Sequence, residues 1–311
     1  MRLTRLTSAV FFLSFFIFHS DTFSQTNSLP ITYFDSIRED EEDHQLLFPY
    51  VVFIDSFKNE IYVVNRGQVI IYTIDFFPVF TLDKSNGLET PQCLTIDFHG
   101  NVYIAQAGTK EIPRQRISVF DARLKWKQDI FFEGFEGADT FTPGGLAVDK
   151  NGTFYVAGSY FPGALILNTQ GQLIEILSPE EEGEKVKLNN VTIDKEGKIY
   201  LVSEEKGHVY VYNENREFLY KFGEKGGCTG KLSRPQAVAI DDRKGMKYVV
   251  DYMRHTVLAY DAQGKYLFEF GGLGWGERWF QYPKDISVDS QGRIFVADTF
   301  NDRIQVFRTS E

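Results

Sequence analysis

Apolar and polar positions along the chain alternate in short bursts of four to six residues, with turn-forming residues between them. The clearest stretch runs from Tyr282 to Phe307, YPKDISVDSQGRIFVADTFNDRIQVF. Ile286–Val288, Ile294–Ala297 and Arg303–Phe307 are rich in β-branched and aromatic side chains, which predicts three strands. Asp289-Ser-Gln-Gly292 supplies the first turn, because an Asp carboxylate bonds the backbone two residues on and Gly takes positive φ freely. Asp298 to Asp302 supplies the second. The stretch reads as an up-and-down meander.

The same pattern recurs along the chain. An Asp closes a short β-branched run at positions 55, 97, 149, 194, 241 and 289, at intervals of 42 to 52 residues. After each comes a residue suited to positive φ: Asn59, Gly100, Gly152, Gly197, Gly245 and Gly292. The second strand follows as IYVV, VYIA, FYVA, IYLV, KYVV and IFVA, and the third as VIIY, ISVF, ALIL, VYVY, VLAY and IQVF. Fourth strands are expected at Phe76–Leu82, Lys125–Phe132, Gln172–Ser178, Glu217–Gly223 and Lys265–Gly272. Four strands per unit at such a period predict the blades of a β-propeller. The fold class is all-β: a six-bladed β-propeller of four-stranded blades.

Six repeats have only five fourth strands, and the chain stops just after the third strand of the last. Ile31–Ile37, ITYFDSI, lies ahead of the first repeat and is expected to supply the missing strand. Closing the ring removes the open edges that template aggregation. The expected division is therefore residues 1–24, a leader; 25–47, the closing strand with an acidic connector; and 48–311, the propeller. In the leader, Arg2 and Arg5 precede the apolar run Leu6 to Phe18, too short to span a bilayer, and Thr22 and Ser24 suit cleavage before Gln25. This is the pattern of a signal peptide, so a secreted or periplasmic chain is expected, with no membrane insertion of the mature protein. The acidic runs Arg38–His44 and Pro179–Lys185 read as solvated connectors. Gly271–Gly276 follows an outer strand with no helix behind it, so it reads as a blade-to-blade loop and not a phosphate cradle.

Charge narrows the partners. The chain carries 33 basic and 43 acidic residues, net −10. Losing Arg2, Arg5 and Asp21 with the leader takes this to −11. Such a surface repels phosphate backbones, which argues against nucleic acid. Two cysteines, Cys93 and Cys228, form no disulfide framework for a domain of this size and are expected as free thiols.

Several motifs resemble NHL repeats. Pro235-Gln-Ala-Val-Ala-Ile-Asp241 and Pro283-Lys-Asp-Ile-Ser-Val-Asp289 are similar to the opening signature of that family. Ile294-Phe-Val-Ala-Asp298 and Asn301-Asp-Arg-Ile-Gln-Val-Phe307 are similar to its centre. Repeats one and four depart, with Asn65 and Ser203 where Asp298 stands and Leu188 in place of the opening Pro. The resemblance implies a six-bladed propeller, a fold shared by binding modules, scaffolds and a few lyases, so it speaks to architecture more than chemistry.

Six copies of the turn Asp are explained by the turn, which leaves the opposite face for function. Residues entering the inner strands there, Tyr50, Gln92, Gly144, Asn189, Gln236 and Lys284, are expected to line a central mouth. The ends of the second strands, Asn65, Gln106, Gly158, Ser203, Asp251 and Asp298, are expected around them. Trp275, Trp279, Phe280 and Tyr282 in one loop, with Tyr160 and Phe161 in another, suggest a surface for sugar rings or protein. Relatives implied by the resemblance include peptide-amidating lyases, whose zinc needs several converging histidines. Here His208 and His255, with Glu204 and Asp251 near in sequence, are the candidate metal ligands, for zinc or alternatively calcium. No Ser/His/Asp or Cys/His set is suggested. The expectation is a monomeric, non-catalytic propeller binding an unknown protein or carbohydrate ligand through this face, with no cofactor. The alternative is a metal-dependent propeller lyase or hydrolase.

Overall fold

A computed structural model describes residues 31–309. The expected leader, residues 1–24, lies outside the described residues. Six four-stranded antiparallel sheets are strung along the chain, each a meander running from an inner to an outer strand. The inner strands are Pro49–Asp55, Pro91–Ile96, Pro143–Val148, Asn190–Ile193, Pro235–Asp241 and Asp285–Val288. Fourth strands begin one or two residues later than the alternation suggested, as at Pro78–Leu82 and Trp126–Phe131.

Ile31–Ile37 closes the ring as expected. It pairs antiparallel with Arg303–Thr309, from Ile31 opposite Thr309 to Ile37 opposite Ile304, as the outermost strand of the last blade. A bulge between Tyr33 and Asp35 bends it round the rim.

Apolar side chains gather in six clusters, and each lies between two neighbouring blades. Adjacent residues of one strand therefore enter different clusters. Ile61 and Val63 face the last blade, while Tyr62 and Val64 face the second. Both faces of a middle strand are buried, which is why these strands read as continuous apolar runs rather than a half-polar alternation. The closing strand bridges two interfaces: Ile31 packs between blades five and six, Ile37 between six and one. Each fully buried aliphatic side chain contributes about 1.5–3 kcal/mol, so this strand is a fastener.

The Asp turns behave as their chemistry predicts. Asp289 Oδ1 accepts from Gln291 N at 2.9 Å and Arg293 N at 2.8 Å. Gly292 then takes φ 76°, and a side chain there would also collide with the Arg243 guanidinium. The Pro179–Lys185 run differs from its reading as a solvated connector. Glu180–Glu181 pairs with Glu184–Lys185 in a small hairpin. Glu181 Oε1 takes hydrogen bonds from Tyr210 OH at 2.8 Å and from Lys221 Nζ, and meets His208 Nδ1 at 3.0 Å. One acid of the run thus pins the connector to blade four.

Candidate functional site

The inner strands surround a central channel of about 970 Å³. Tyr50, Gln92, Gly144, Asn189, Gln236 and Lys284 all stand on its wall, where each chain segment turns into an inner strand. Five residue types fill the six positions, with Gln at two of them. Asn189 Nδ2 donates to the carbonyls of Pro235 and Gln236 at 3.1 and 3.0 Å, and its Oδ1 accepts from Glu204 N at 2.8 Å. Glu204 in turn accepts from Gln236 Nε2 at 3.1 Å and lies 3.4 Å from Arg234 Nε. Gln92 Nε2 donates to Thr90 O and Pro91 O. Tyr50 OH donates to Pro91 O, and burial pushes its phenol well above the ordinary value. Lys284 is exposed at the rim.

Asp285 was missed by the sequence reading, although a signal was there. Where it stands, the other inner strands carry Val51, Cys93, Gly145, Asn190 and Ala237. Its Oδ2 accepts from Val52 N of blade one at 2.9 Å, across the seam where the ring closes. Burial pushes the carboxyl up to about 7, against a smaller lowering by the N–H groups of Val52 and Ile286. The residue is partly exposed and stands in the channel wall. Burial likewise raises the thiol of Cys93, with the Asp285 charge adding to it. Cys93 is buried and Cys228 exposed, and neither is bridged.

The ends of the second strands do not join this wall. Asn65, Gln106, Ser203, Asp251 and Asp298 are buried. Four of them turn back to hold the connector that enters their own blade, while Ser203 Oγ accepts from Lys206 N at 3.2 Å in the turn after its strand. Asn65 Oδ1 accepts from Leu47 N at 2.7 Å, and Gln106 Oε1 from Glu89 N at 2.8 Å. Asp251 accepts from the N–H groups of Ser233, Arg234, Met253 and Arg254. Asp298 Oδ1 accepts from Gln281 N, while its Oδ2 takes Asn301 Nδ2, Arg303 Nε and Gln305 Nε2 at 2.8–2.9 Å. The connector arrives with unpaired N–H groups, and a buried donor without a partner is costly, so the acceptor is drawn inward. At Gly158 the ring of Phe141 fills the space a side chain would take.

Trp275 is 78% exposed and Trp279 51% exposed. The Trp279 indole lies across Gly272 and Gly274, which explains the glycines of that loop: a Cβ at Gly272 would stand 2.6 Å from the ring. Phe280, expected with them, is instead fully buried between blades five and six beside Phe270 and Phe307. Tyr160 is exposed, while Phe161 packs on Phe135 and Phe141.

The two candidate metal ligands are not brought together. His208 faces Glu181, and burial lowers its basicity, with the Lys221 charge adding to that. His255 Nδ1 accepts from Tyr282 N at 2.9 Å, so the neutral ring carries its proton on Nε2, and burial favours that neutral form. Among the described residues no group of three or more His, Cys, Asp or Glu side chains is placed to hold a metal ion. Nor is any helix among them long and apolar enough to cross a membrane.

Comparison with known proteins agrees with this architecture. The NHL repeat matches residues 280–307, and a family described as a 6-bladed beta-propeller matches residues 177–271. No curated protein matches the chain. Among solved structures, an auxiliary nutrient binding protein from Bacteroides ovatus ATCC 8483 aligns with TM-score 0.66 at 14% identity, over 90% of this chain and 76% of that one. A second auxiliary nutrient binding protein, from Bacteroides thetaiotaomicron VPI-5482, aligns with TM-score 0.62 at 13% identity, over 90% and 76%. Streptogramin B lyase aligns with TM-score 0.60 at 8% identity, over 89% and 97%. At such identities the likeness is one of fold alone. The chain is a six-bladed β-propeller, shut by its N-terminal strand, with an NHL repeat in its last blade.

Proposed function

We propose that this protein is an exported, monomeric binding propeller that takes its ligand at the rim of the central channel and performs no chemistry on it. One observation carries the reading. The six equivalent rim positions hold five residue types, most of them polar and several with hydrogen-bonding atoms to spare, around a channel of about 970 Å³. The Asp turns and apolar strands repeat while these wall positions vary, and varied polar side chains around a concavity support recognition. The likeness to two auxiliary nutrient binding proteins of Bacteroides supports a binding role. The acidic leader-free chain argues for an uncharged or cationic ligand over nucleic acid.

A thermal-shift screen of oligosaccharides, short peptides and nucleosides tests it. A ligand at a hundred times its Kd should raise Tm by about 5 °C, and Gln236→Ala with Glu204→Ala should abolish the shift. Hits whose shift survives both rim substitutions would move the site elsewhere. Stoichiometric zinc in purified protein, lost in His255→Ala, would favour the metal-dependent lyase instead. Export is checked by N-terminal sequencing of protein from its native host, with Gln25 expected first.

A further inference from the structure

Two consecutive residues in the channel wall carry opposite charges that the protein does not answer. Lys284 leads into the inner strand of blade six and Asp285 begins it, and both stand in the wall. Lys284 is exposed, and its ammonium makes no hydrogen bond or ion pair among the described residues. Asp285 Oδ2 is held at 2.9 Å by Val52 N across the closing seam. Its Oδ1 accepts no hydrogen bond, yet it is not among the buried polar atoms left without a partner, so it opens on the channel. The two side chains do not pair with each other, although their Cα atoms are only about 3.8 Å apart.

The strands packed against Asp285 engage their own charges. Arg293 pairs with Asp289, Asp298 with Arg303 and Asp241 with Arg243, at 2.6–2.8 Å. Lys247 donates to three backbone carbonyls, Asp251 accepts from backbone N–H groups, and Asp55 Oδ1 accepts from Phe57 N. The hydroxyls of Tyr50 and Tyr248 donate to Pro91 O and Met246 Sδ. Beyond these strands, the Asp285 charge reaches the buried Cys93 thiol of blade two. Elsewhere on the channel wall Lys150 meets Glu214, Lys195 meets Asp242 and Glu204 meets Arg234. No cation of the protein therefore offsets the burial that holds the Asp285 carboxyl up to about 7. This pair of open charges selects its ligand. A lone anion gains Lys284 but meets the Asp285 carboxylate, and a lone cation meets the reverse. A neutral ligand strips water from both charges and returns nothing. A molecule carrying ammonium and carboxylate side by side answers both, and its zero net charge suits the acidic chain.

We propose that Lys284 and Asp285 form the recognition site for a free α-amino acid, Lys284 taking its carboxylate and Asp285 Oδ1 its ammonium. The channel of about 970 Å³ leaves room for the side chain. The proposal rests on the rim-binding reading and names the ligand class for it. The test is isothermal titration calorimetry of the purified protein against each of the twenty common α-amino acids at pH 8. At least one should bind. Its N-acetyl and carboxamide forms, each lacking one charge, should bind at least about tenfold more weakly. Lys284→Gln and Asp285→Asn should each weaken the free amino acid to a similar degree. Both variants keep the fold, because Lys284 is exposed and asparagine retains an acceptor for Val52 N. The site needs the carboxylate, so affinity should rise at least about tenfold from pH 5.5 to pH 8, a dependence that Asp285→Asn should lose. Binding weakened by these variants but kept in Gln236→Ala supports the proposal and confines the rim site to blade six. Equal affinity for the N-acetyl or carboxamide form, binding untouched by Lys284→Gln or Asp285→Asn, or no heat with any amino acid would each overturn it. A saccharide, peptide or nucleoside whose binding is then lost in Gln236→Ala would leave the rim reading standing without this site, whereas no ligand of any class would remove both.

Discussion

Replacing Asp285 with asparagine should stabilise the propeller at neutral and alkaline pH. The carboxyl sits in the channel wall with its Oδ2 on Val52 N, and burial lifts it from an ordinary 3.8 to about 7. Between those values the folded chain keeps a proton that the unfolded chain releases. Its contribution to stability is therefore complete below pH 4 and is lost as pH rises through 7. A displacement of roughly three pH units corresponds to about 4 kcal/mol, an upper bound because channel water relaxes around the charge. Asparagine keeps an oxygen to accept from Val52 N and never ionises. Urea unfolding of both proteins at pH 5, 7 and 8.5 should show an advantage for Asp285→Asn that is smallest at pH 5, about 1–1.5 kcal/mol, and grows to about 2–4 kcal/mol at pH 8.5. Equal pH dependence in the two proteins would show that the carboxyl is not destabilised by burial. A variant weaker than the parent at pH 8.5 would show that the seam needs the charge.

Asp298→Ala removes the acceptor for three side chains and one backbone N–H, leaving the Arg303 guanidinium buried without its carboxylate, so a loss of about 3–5 kcal/mol is expected by urea titration. Deleting residues 25–38 strips Ile31 and Ile37 from two blade interfaces and bares the edge of Arg303–Thr309; a lower Tm and oligomers by light scattering should result, and a truncated chain as heat-stable and monomeric as the parent would contradict ring closure. Glu181→Ala leaves Tyr210, Lys221 and His208 without their shared acceptor, so limited proteolysis should cut the 180–185 hairpin faster, at a local loss of about 1–3 kcal/mol.

Much of the architecture was legible from local signals. Six Asp turns, the apolar strands between them and one surplus strand at the N-terminus are properties of residues near each other in sequence, and turn chemistry and strand alternation act at that range. Even the ring's closure followed from counting strands. The direction of a side chain at a strand's end was not legible. Gln106, Asp251 and Asp298 are polar residues at a loop, and only the arriving connector, with N–H groups needing partners, decides that they turn inward. Phe280 and Trp279 are neighbours in one aromatic loop, yet one is core and the other faces water, because the seam between blades five and six offers a pocket to only one of them.

The chain order thus dictates the blades and the manner in which they shut, since each strand, turn and repeat is set by neighbours within a few dozen residues. The mouth is another matter. Phe48 meets Phe300, and Asp285 meets Val52, only after the ring has closed and brought the two ends of the chain side by side. Contacts between residues so distant carry no periodicity, because nothing local constrains one partner to announce the other. The architecture is a sum of short-range preferences, whereas the site arises where those preferences leave side chains free and the closed ring decides what they face.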